Sequence, residues 1–363
     1  MPTRTCKNAL PTWLAGALLT GLGFLLSFGL LEAGFRIHDG VRVLQQEETW
    51  AIFDPEVGYR LNPKYGDTNP DGLRDHPITP KAGRFRVLML GDSVAYYGDD
   101  IDDTYVGRLR TRLAHDPDGP PLDVVNAGIK GYTNYQELVF LKKYGLKFEP
   151  DLVGVGFVLN DLHRTLHQFQ VRNGRIVGQT YDFTPDAVQS VDSWLYRLAR
   201  KSVFLRWLWR RLSIANAAVE LTGKKGFSFD YRPDFNTAWK DASWPAIESQ
   251  LREMTELGVT HGFRVFVVVF PFGEQYREDY LARDREYVLK PQRKLAVICG
   301  RFKISCLDLY SQLNRSAHLE EDNIHLTKAG RARVAEVLAA FLKAERLVPL
   351  IPRPLGVAGK PRS

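Results

Sequence analysis

From residue 84 to about 345 the chain alternates short apolar runs with helical stretches, and this rhythm constrains the fold more than any other feature. The apolar runs are FRVLMLG (85–91), LDVVNAG (122–128), DLVGVGFVLN (151–160), FRVFVVVFPF (263–272) and KISCLDL (303–309). They are almost continuously apolar, as strands are when both faces of their sheet are covered. Between them lie YVGRLRTRLA, NYQELVFLKKYG, WPAIESQLREMTELG, the segment 279–298 and a last helix from Thr327 to Lys343. Pro245 in a first turn, Gly258 near a stop and Thr327 as an N-cap are ordinary helix punctuation. The alternation predicts an α/β three-layer sandwich, with a central five-stranded parallel sheet in the flavodoxin-like order. Ligands of such sheets sit beyond the carboxyl ends of the strands.

Two features interrupt this pattern. About 100 residues separate the third and fourth runs, far more than an ordinary crossover requires. A helical insertion is expected there, over about 165–240. Its segment 193–221 sets Trp194, Trp207 and Trp209 among Arg197, Arg200, Lys201, Arg206, Arg210 and Arg211, with Leu195, Leu198, Leu205, Trp209 and Leu212 on one stripe. That composition suits a membrane-interface helix, and the stripe equally suits a helical lid packed on the domain.

The second interruption is at the amino end. Residues 9–31 run for 23 positions without a charge, enough for a helix to cross a hydrocarbon core of about 30 Å. Arg4 and Lys7 precede the run and Glu32 follows it, so the positive-inside rule leaves residues 1–8 in the cytoplasm and the bulk of the chain outside. A cleaved signal peptide is the rival reading, but no clean small-x-small site follows the run. Residues 32–83 then read as a connector rich in Pro, Gly, Asn and Asp, extended over the domain as a collar. Residues 346–363 read as a tail.

The composition is that of a globular protein, 44% hydrophobic and 25% charged, and the formal net charge is +7. The basic residues are spread out and no nucleic-acid motif accompanies them, so a generally basic surface is the expectation. Three cysteines exclude a dense disulfide framework and a paired Cys-x-x-Cys zinc site. Cys6 precedes the apolar run. Cys299 and Cys306 could bridge a helix end to the next strand, or be two buried thiols. His163 and His167 are four apart, a metal-pair spacing, but no third ligand is near, so no metal is expected. GVGFVL (154–159) lacks the last glycine of a dinucleotide fingerprint, and no cofactor is expected.

The polar residues that bear chemistry cluster at the predicted strand ends. Ser93 follows the first strand in GDSV, Gly128 to Gly131 (GIKG) follow the second, and Asn160-Asp161 end the third. Near the carboxyl end, Asp322 and His325 stand three apart in DNIH before the last helix, where a carboxylate can orient an imidazole. Each piece alone has a bland explanation as a turn or a cap. Their joint occurrence in this order does not.

These blocks resemble the SGNH or GDSL-type hydrolases, a group of serine esterases and acyltransferases. GDSV with Ser93, VVNAGIKG with Gly131, LND with Asn160 and DNIH with Asp322 and His325 match its four blocks in order, over residues 84–345. There are two departures. Val94 stands where many members have leucine, and Val158 where the third block usually has glycine, a change that would shift the backbone and crowd the pocket. The resemblance implies Ser93 as nucleophile, His325 as base and Asp322 as its orienting acid. It implies an oxyanion hole from the N–H of Ser93, the N–H of Gly131 and the amide of Asn160. Asp92 reads as a brace for the turn.

The expectation is therefore a membrane-anchored serine esterase or O-acyltransferase outside the cytoplasm, in a bacterial periplasm or at the cell surface. Its substrates would be acylated envelope glycans or lipid esters. A glycan-binding or scaffolding protein with a degenerate site is the alternative.

Overall fold

The structure, a computed structural model, describes residues 12–45, 50–114, 122–172, 175–181, 202, 204–205, 208, 226–231, 235–320 and 322–349. The chain divides into two compact units, one of Met1–Glu47 with Thr184–Lys224 and one of Glu48–Phe183 with Lys225–Ser363.

In the first unit, α1 runs from Thr12 to Gln45. Its stretch Gly16–Ile37 has a mean hydropathy of 1.7 and is long and apolar enough to cross a membrane, a test that a signal sequence also passes. Phe24, Leu25 and Leu30 are among its exposed side chains. The helix outruns the expected span and takes in residues 32–45, which had read as connector. The reason is local: no proline occurs there before Pro55, and Glu32 pairs with Arg36 one turn on at 2.7 Å. Ser202 Oγ and the Phe204 N–H donate to Glu32 Oε2 at 2.6 and 3.1 Å. The Phe204 ring meets Phe28 and Phe35 at 5.9 and 5.6 Å. Apart from positions 202, 204, 205 and 208, the Trp- and Arg-rich stretch 193–221 lies outside the described residues, as do residues 1–11 and the tail beyond 349.

The second unit opens with a hairpin of β1 (Ala51–Asp54) and β2 (Gly58–Leu61). Tyr59, Leu61 and Leu73 of this collar are wholly buried, so it is part of the domain. There follow β3 (Phe85–Gly91), α2 (Ser93–Tyr96), α3 (Tyr105–Ala114), β4 (Leu122–Gly128), α4 (Asn134–Phe140) and β5 (Leu152–Phe157). After these come β6 (His167–Arg172), β7 (Arg175–Tyr181), α5 (Trp244–His261), β8 (Arg264–Val269), α6 (Glu278–Val288), α7 (Lys290–Phe302), β9 (Ser305–Asp308) and α8 (Lys328–Ala344). Five strands form one parallel sheet in the order β4-β3-β5-β8-β9. Taken in chain order this is the flavodoxin-like arrangement expected.

The helices fall into two groups, α3 with α8, and α4 with α5 and α7, as right-handed crossovers onto two faces require. The sheet between them is dry: Val87, Leu88, Met89, Leu90, Phe266, Val267 and Val268 have no exposed surface. Each such large side chain contributes about 1.5–3 kcal/mol of burial.

Three local expectations change. The start of the insertion is a β-hairpin, β6 with β7, because HQFQVRNGRIVGQTY alternates and carries Asn173-Gly174, the strongest short hairpin signal. Helix α5 passes through Gly258 to His261; Gly258 is there because a Cβ would sit 2.5 Å from the Phe263 carbonyl oxygen as the chain turns back. The segment 279–298 is two helices, broken at Leu289 ahead of Pro291. Cys299 and Cys306 are free thiols, Cys299 buried.

Candidate active site

Strand β3 delivers Gly91-Asp92-Ser93 to the carboxyl rim of the sheet. Asp92 is fully buried and caps α2: its Oδ1 accepts the Val94 N–H at 2.7 Å, and its Oδ2 lies 3.3 Å from Ser93 Oγ. A second brace comes from β4. Asn126 Nδ2 donates to the Ala95 carbonyl at 3.0 Å, while the Asn126 N–H donates to Asp75 at 2.7 Å. Asp75, in the collar, also pairs with Arg110 of α3. The helix carrying Ser93 is thus tied to the neighbouring strand and to the collar.

The loop before α8 brings Asp322 and His325 to the same rim. Asp322 Oδ1 accepts the backbone N–H of Ile324 and of His325 at 2.8 and 3.0 Å. Its Oδ2 accepts His325 Nδ1–H. That bond places the proton on Nδ1 and leaves the Nε2 lone pair facing Ser93 Oγ at 2.9 Å. The loop is anchored at 2.8 Å by Leu319 N–H to the His325 carbonyl and at 2.7 Å by Gly273 N–H to the Asn323 carbonyl. Arg331, nearly buried at the start of α8, reaches the Leu326 carbonyl and Asp103, locking the loop to α3. The Tyr97 ring stands edge-on to the His325 ring at 4.8 Å.

The charges agree with this geometry. Burial pushes the Asp322 carboxyl up, but the His325 bond, the two backbone N–H groups and the imidazolium charge outweigh it and hold Asp322 at about 2. Burial pushes His325 down, but the Asp322 bond and charge, with a further contribution from Asp92, raise it above the ordinary histidine value. Beneath the site, burial raises Asp92, and it raises Glu137 and Asp161 well above ordinary carboxyls, with Glu137 in the field of Asp92 and Asp161 in the fields of Glu137 and Asp92.

Gly131 lies in a turn closed by Tyr132 N–H to the Ile129 carbonyl at 3.0 Å, with φ +76 at Gly131. That is the position where such a turn requires glycine. A Cβ would also fall 1.9 Å from His167 Nε2. Among the described residues no acceptor takes the N–H of Ser93 or of Gly131. Asn160 is nearly buried, and its side chain lies close enough to Asp92 to favour the charged carboxyl. Val158 is packed into the core, and its turn is closed by Asp161, whose Oδ2 accepts the Val158 N–H at 2.8 Å. The valine therefore adds core, and Asp161 holds the shape that the usual glycine would permit.

The structure thus brings Ser93, His325 and Asp322 into one hydrogen-bonded chain, with Gly131 and Asn160 on the same rim. His163 and His167 have different neighbours: His163 Nε2 pairs with Thr237 Oγ1 at 3.1 Å, and His167 lies over Gly131. Among the described residues no group of three or more His, Cys, Asp or Glu is placed to hold a metal ion. Sequence reading missed Tyr97, Asn126, Asp75 and Lys130 as neighbours of the site. Only Asn126, inside the VVNAG block, carried a signal.

Several solved structures are similar to this chain at low identity. The crystal structure of TesA is 16% identical, with a TM-score of 0.42, covering 71% of this chain and 98% of that one. A lipase/acylhydrolase from Enterococcus faecalis is 15% identical, with a TM-score of 0.41, covering 74% and 99%. A catalytic mutant of Axe2, an acetylxylan esterase from Geobacillus stearothermophilus, is 15% identical, with a TM-score of 0.40, covering 71% and 94%. No curated protein gives a significant match. The family model of the GDSL-like lipases and acylhydrolases matches residues 89–333, about two thirds of the chain. The block order, the parallel sheet and this match lead to one conclusion: the chain belongs to the GDSL-like lipase/acylhydrolase family and is a hydrolase of ester bonds.

Proposed function

We propose that this hydrolase is a membrane-anchored serine esterase or O-acyltransferase, outside the cytoplasm, that acts on acyl esters of envelope glycans through Ser93, His325 and Asp322. The observation that carries the reading is the 2.9 Å contact of Ser93 Oγ with His325 Nε2, backed by Asp322 on Nδ1. A serine hydroxyl needs such a base to attack near neutral pH. Ser93 Oγ adds to the ester carbonyl carbon as its proton passes to His325 Nε2, and Asp322 stabilises the imidazolium. The N–H groups of Ser93 and Gly131 and the Asn160 amide receive the oxyanion. As the tetrahedral species collapses, the C–O bond to the alcohol breaks and His325 returns the proton to the leaving oxygen. Water, or a sugar hydroxyl in transfer, then gives its proton to His325 and takes the acyl group from Ser93, whose leaving Oγ recovers that proton from His325.

The apolar helix Gly16–Ile37 supports the anchor. Tyr97, exposed beside His325, with Tyr96 against it at 5.3 Å, supports a sugar substrate, because sugars stack on aromatic faces.

The test is covalent labelling of the full chain in membranes with a fluorophosphonate, alongside hydrolysis of short acyl esters. The wild type should label and turn over, and Ser93→Ala should do neither. Equal labelling of the two would overturn the reading. Partition of the acyl group between water and an added oligosaccharide separates hydrolysis from transfer.

A further inference from the structure

Lys130 is the residue before Gly131, and nothing in the chemistry above uses it. Its backbone carbonyl is pinned by Tyr59 Oη at 2.8 Å. Its ammonium lies 4.1 Å over the Trp50 ring and 5.4 Å from the centre of the Tyr96 ring. Such ring faces hold a cation in place, but they do not neutralise it. Among the described residues no carboxylate pairs with Lys130 and no acceptor takes its Nζ. Arg74, whose charge acts on Lys130, is already matched: it pairs with Asp67 at 2.8 Å and donates to the carbonyls of Tyr96 and Gly98. Half-buried and close to Arg74, Lys130 has its ammonium pushed below the ordinary lysine value by burial first and by that charge second. Burial first, and then the charge of Lys130 itself, lower His167, beside it, to about 4, so that ring adds no charge at neutral pH.

A desolvated cation without a counter-ion costs free energy that an incoming anion offsets. Its position is what matters here. The Ile129 N–H donates to the Gly91 carbonyl at 3.0 Å, so the chain at Lys130 runs alongside the turn that carries Ser93. A line of rings then connects the ammonium to the base: Tyr96 meets Tyr97 at 5.3 Å, and Tyr97 meets His325 at 4.8 Å. A sugar laid on these rings with its ester at Ser93 would bring a neighbouring substituent to Lys130.

We propose that Lys130, seated on Trp50 and Tyr96, is a carboxylate subsite, and that the glycan taken by this enzyme is acidic, bearing uronate sugars. The proposal rests on the glycan-esterase reading above and names its substrate class. The net charge of +7 would draw such a polymer toward the surface.

The test measures binding apart from turnover. The full chain carrying Ser93→Ala, in detergent micelles, is titrated by calorimetry with an oligogalacturonate and with a neutral oligogalactoside of equal length. The acidic glycan should bind about tenfold or more tightly, as one charge-assisted contact implies, and the advantage should shrink as salt is raised. Lys130→Met, which keeps the stem on Trp50, should abolish the preference, and Lys130→Arg should retain it, with melting curves confirming that both variants fold. Equal affinities, a preference that survives Lys130→Met, or binding of neither glycan would overturn the subsite. Preference for the acidic glycan by a wild type that cleaves no acylated form of it would leave the subsite standing and overturn the esterase reading instead.

Discussion

Replacing Glu137 by glutamine should flatten the dependence of stability on pH. Glu137 lies on α4 beneath the Ser93 turn, fully buried, and neither of its carboxylate oxygens has a hydrogen-bond partner. Asp92 and Asp161, also fully buried, share this region, and one oxygen of Asp161 is likewise unpaired. Burial first, then the charge of Asp92, holds the Glu137 carboxyl protonated well above the ordinary range. An unfolded chain gives up that proton near pH 4.3, as glutamates do. Between that value and the folded one, the native state binds more protons than the unfolded state, so stability falls as pH rises. The slope is about 1.4 kcal/mol per pH unit for each proton retained. Over two units the loss is about 2.7 kcal/mol, or roughly 5 °C in Tm at about 2 °C per kcal/mol for a domain of this size. Glutamine keeps the shape and has no proton to lose. Its buried amide adds a constant offset, so the informative quantity is the slope. Thermal melts of the detergent-solubilised full chain between pH 5 and pH 8 should show a shallower Tm decline in Glu137→Gln. Parallel curves for the two proteins would refute the argument that Glu137 folds with its proton on. Asp161 keeps its own slope in both.

Other expectations concern the rim. Because Asp322 raises His325, kcat/KM should climb with pH through a midpoint above about 6.5, the ordinary histidine value, and Asp322→Asn should lower that midpoint and cut the rate by up to about 10⁴; a rate flat across pH 5 to 8 would exclude His325 as the base. Gly131→Ala puts a Cβ onto His167 at a φ of +76, so the turn should shift and ester hydrolysis fall by about 10²–10³, the usual loss for one oxyanion donor. Adding His167→Ala should recover part of that loss by removing the steric clash, while the backbone strain of about 1–2 kcal/mol stays.

The sheet was legible because its strands are buried on both faces and therefore written as unbroken apolar runs. The residues at its carboxyl rim were legible for a related reason. A strand that ends in GDSV, NAG or LND has stopped being core, and its next side chains face solvent at one shared edge. Asp322 and His325 could be paired because three residues of loop suffice for the contact. What escaped notice was local chemistry misweighed, or contacts between distant positions. The Asn173-Gly174 hairpin signal lies at the start of an insertion whose helical composition is confined to 193–221. Residues 32–45 were assigned to the connector although they hold no proline.

The sequence alone determined the architecture, the hydrolase family and the apolar helix, because periodicity, block order and charge-free length are properties of consecutive residues. Only the tertiary structure decided which side chains meet across the rim. Asp75 reaches β4 from the collar at 2.7 Å, and among the described residues Glu137 is sealed under Ser93 without a partner and Lys130 is left over Trp50 with no counter-ion. Those relations depend on distances between residues far apart in the chain, and no spacing along the sequence encodes them.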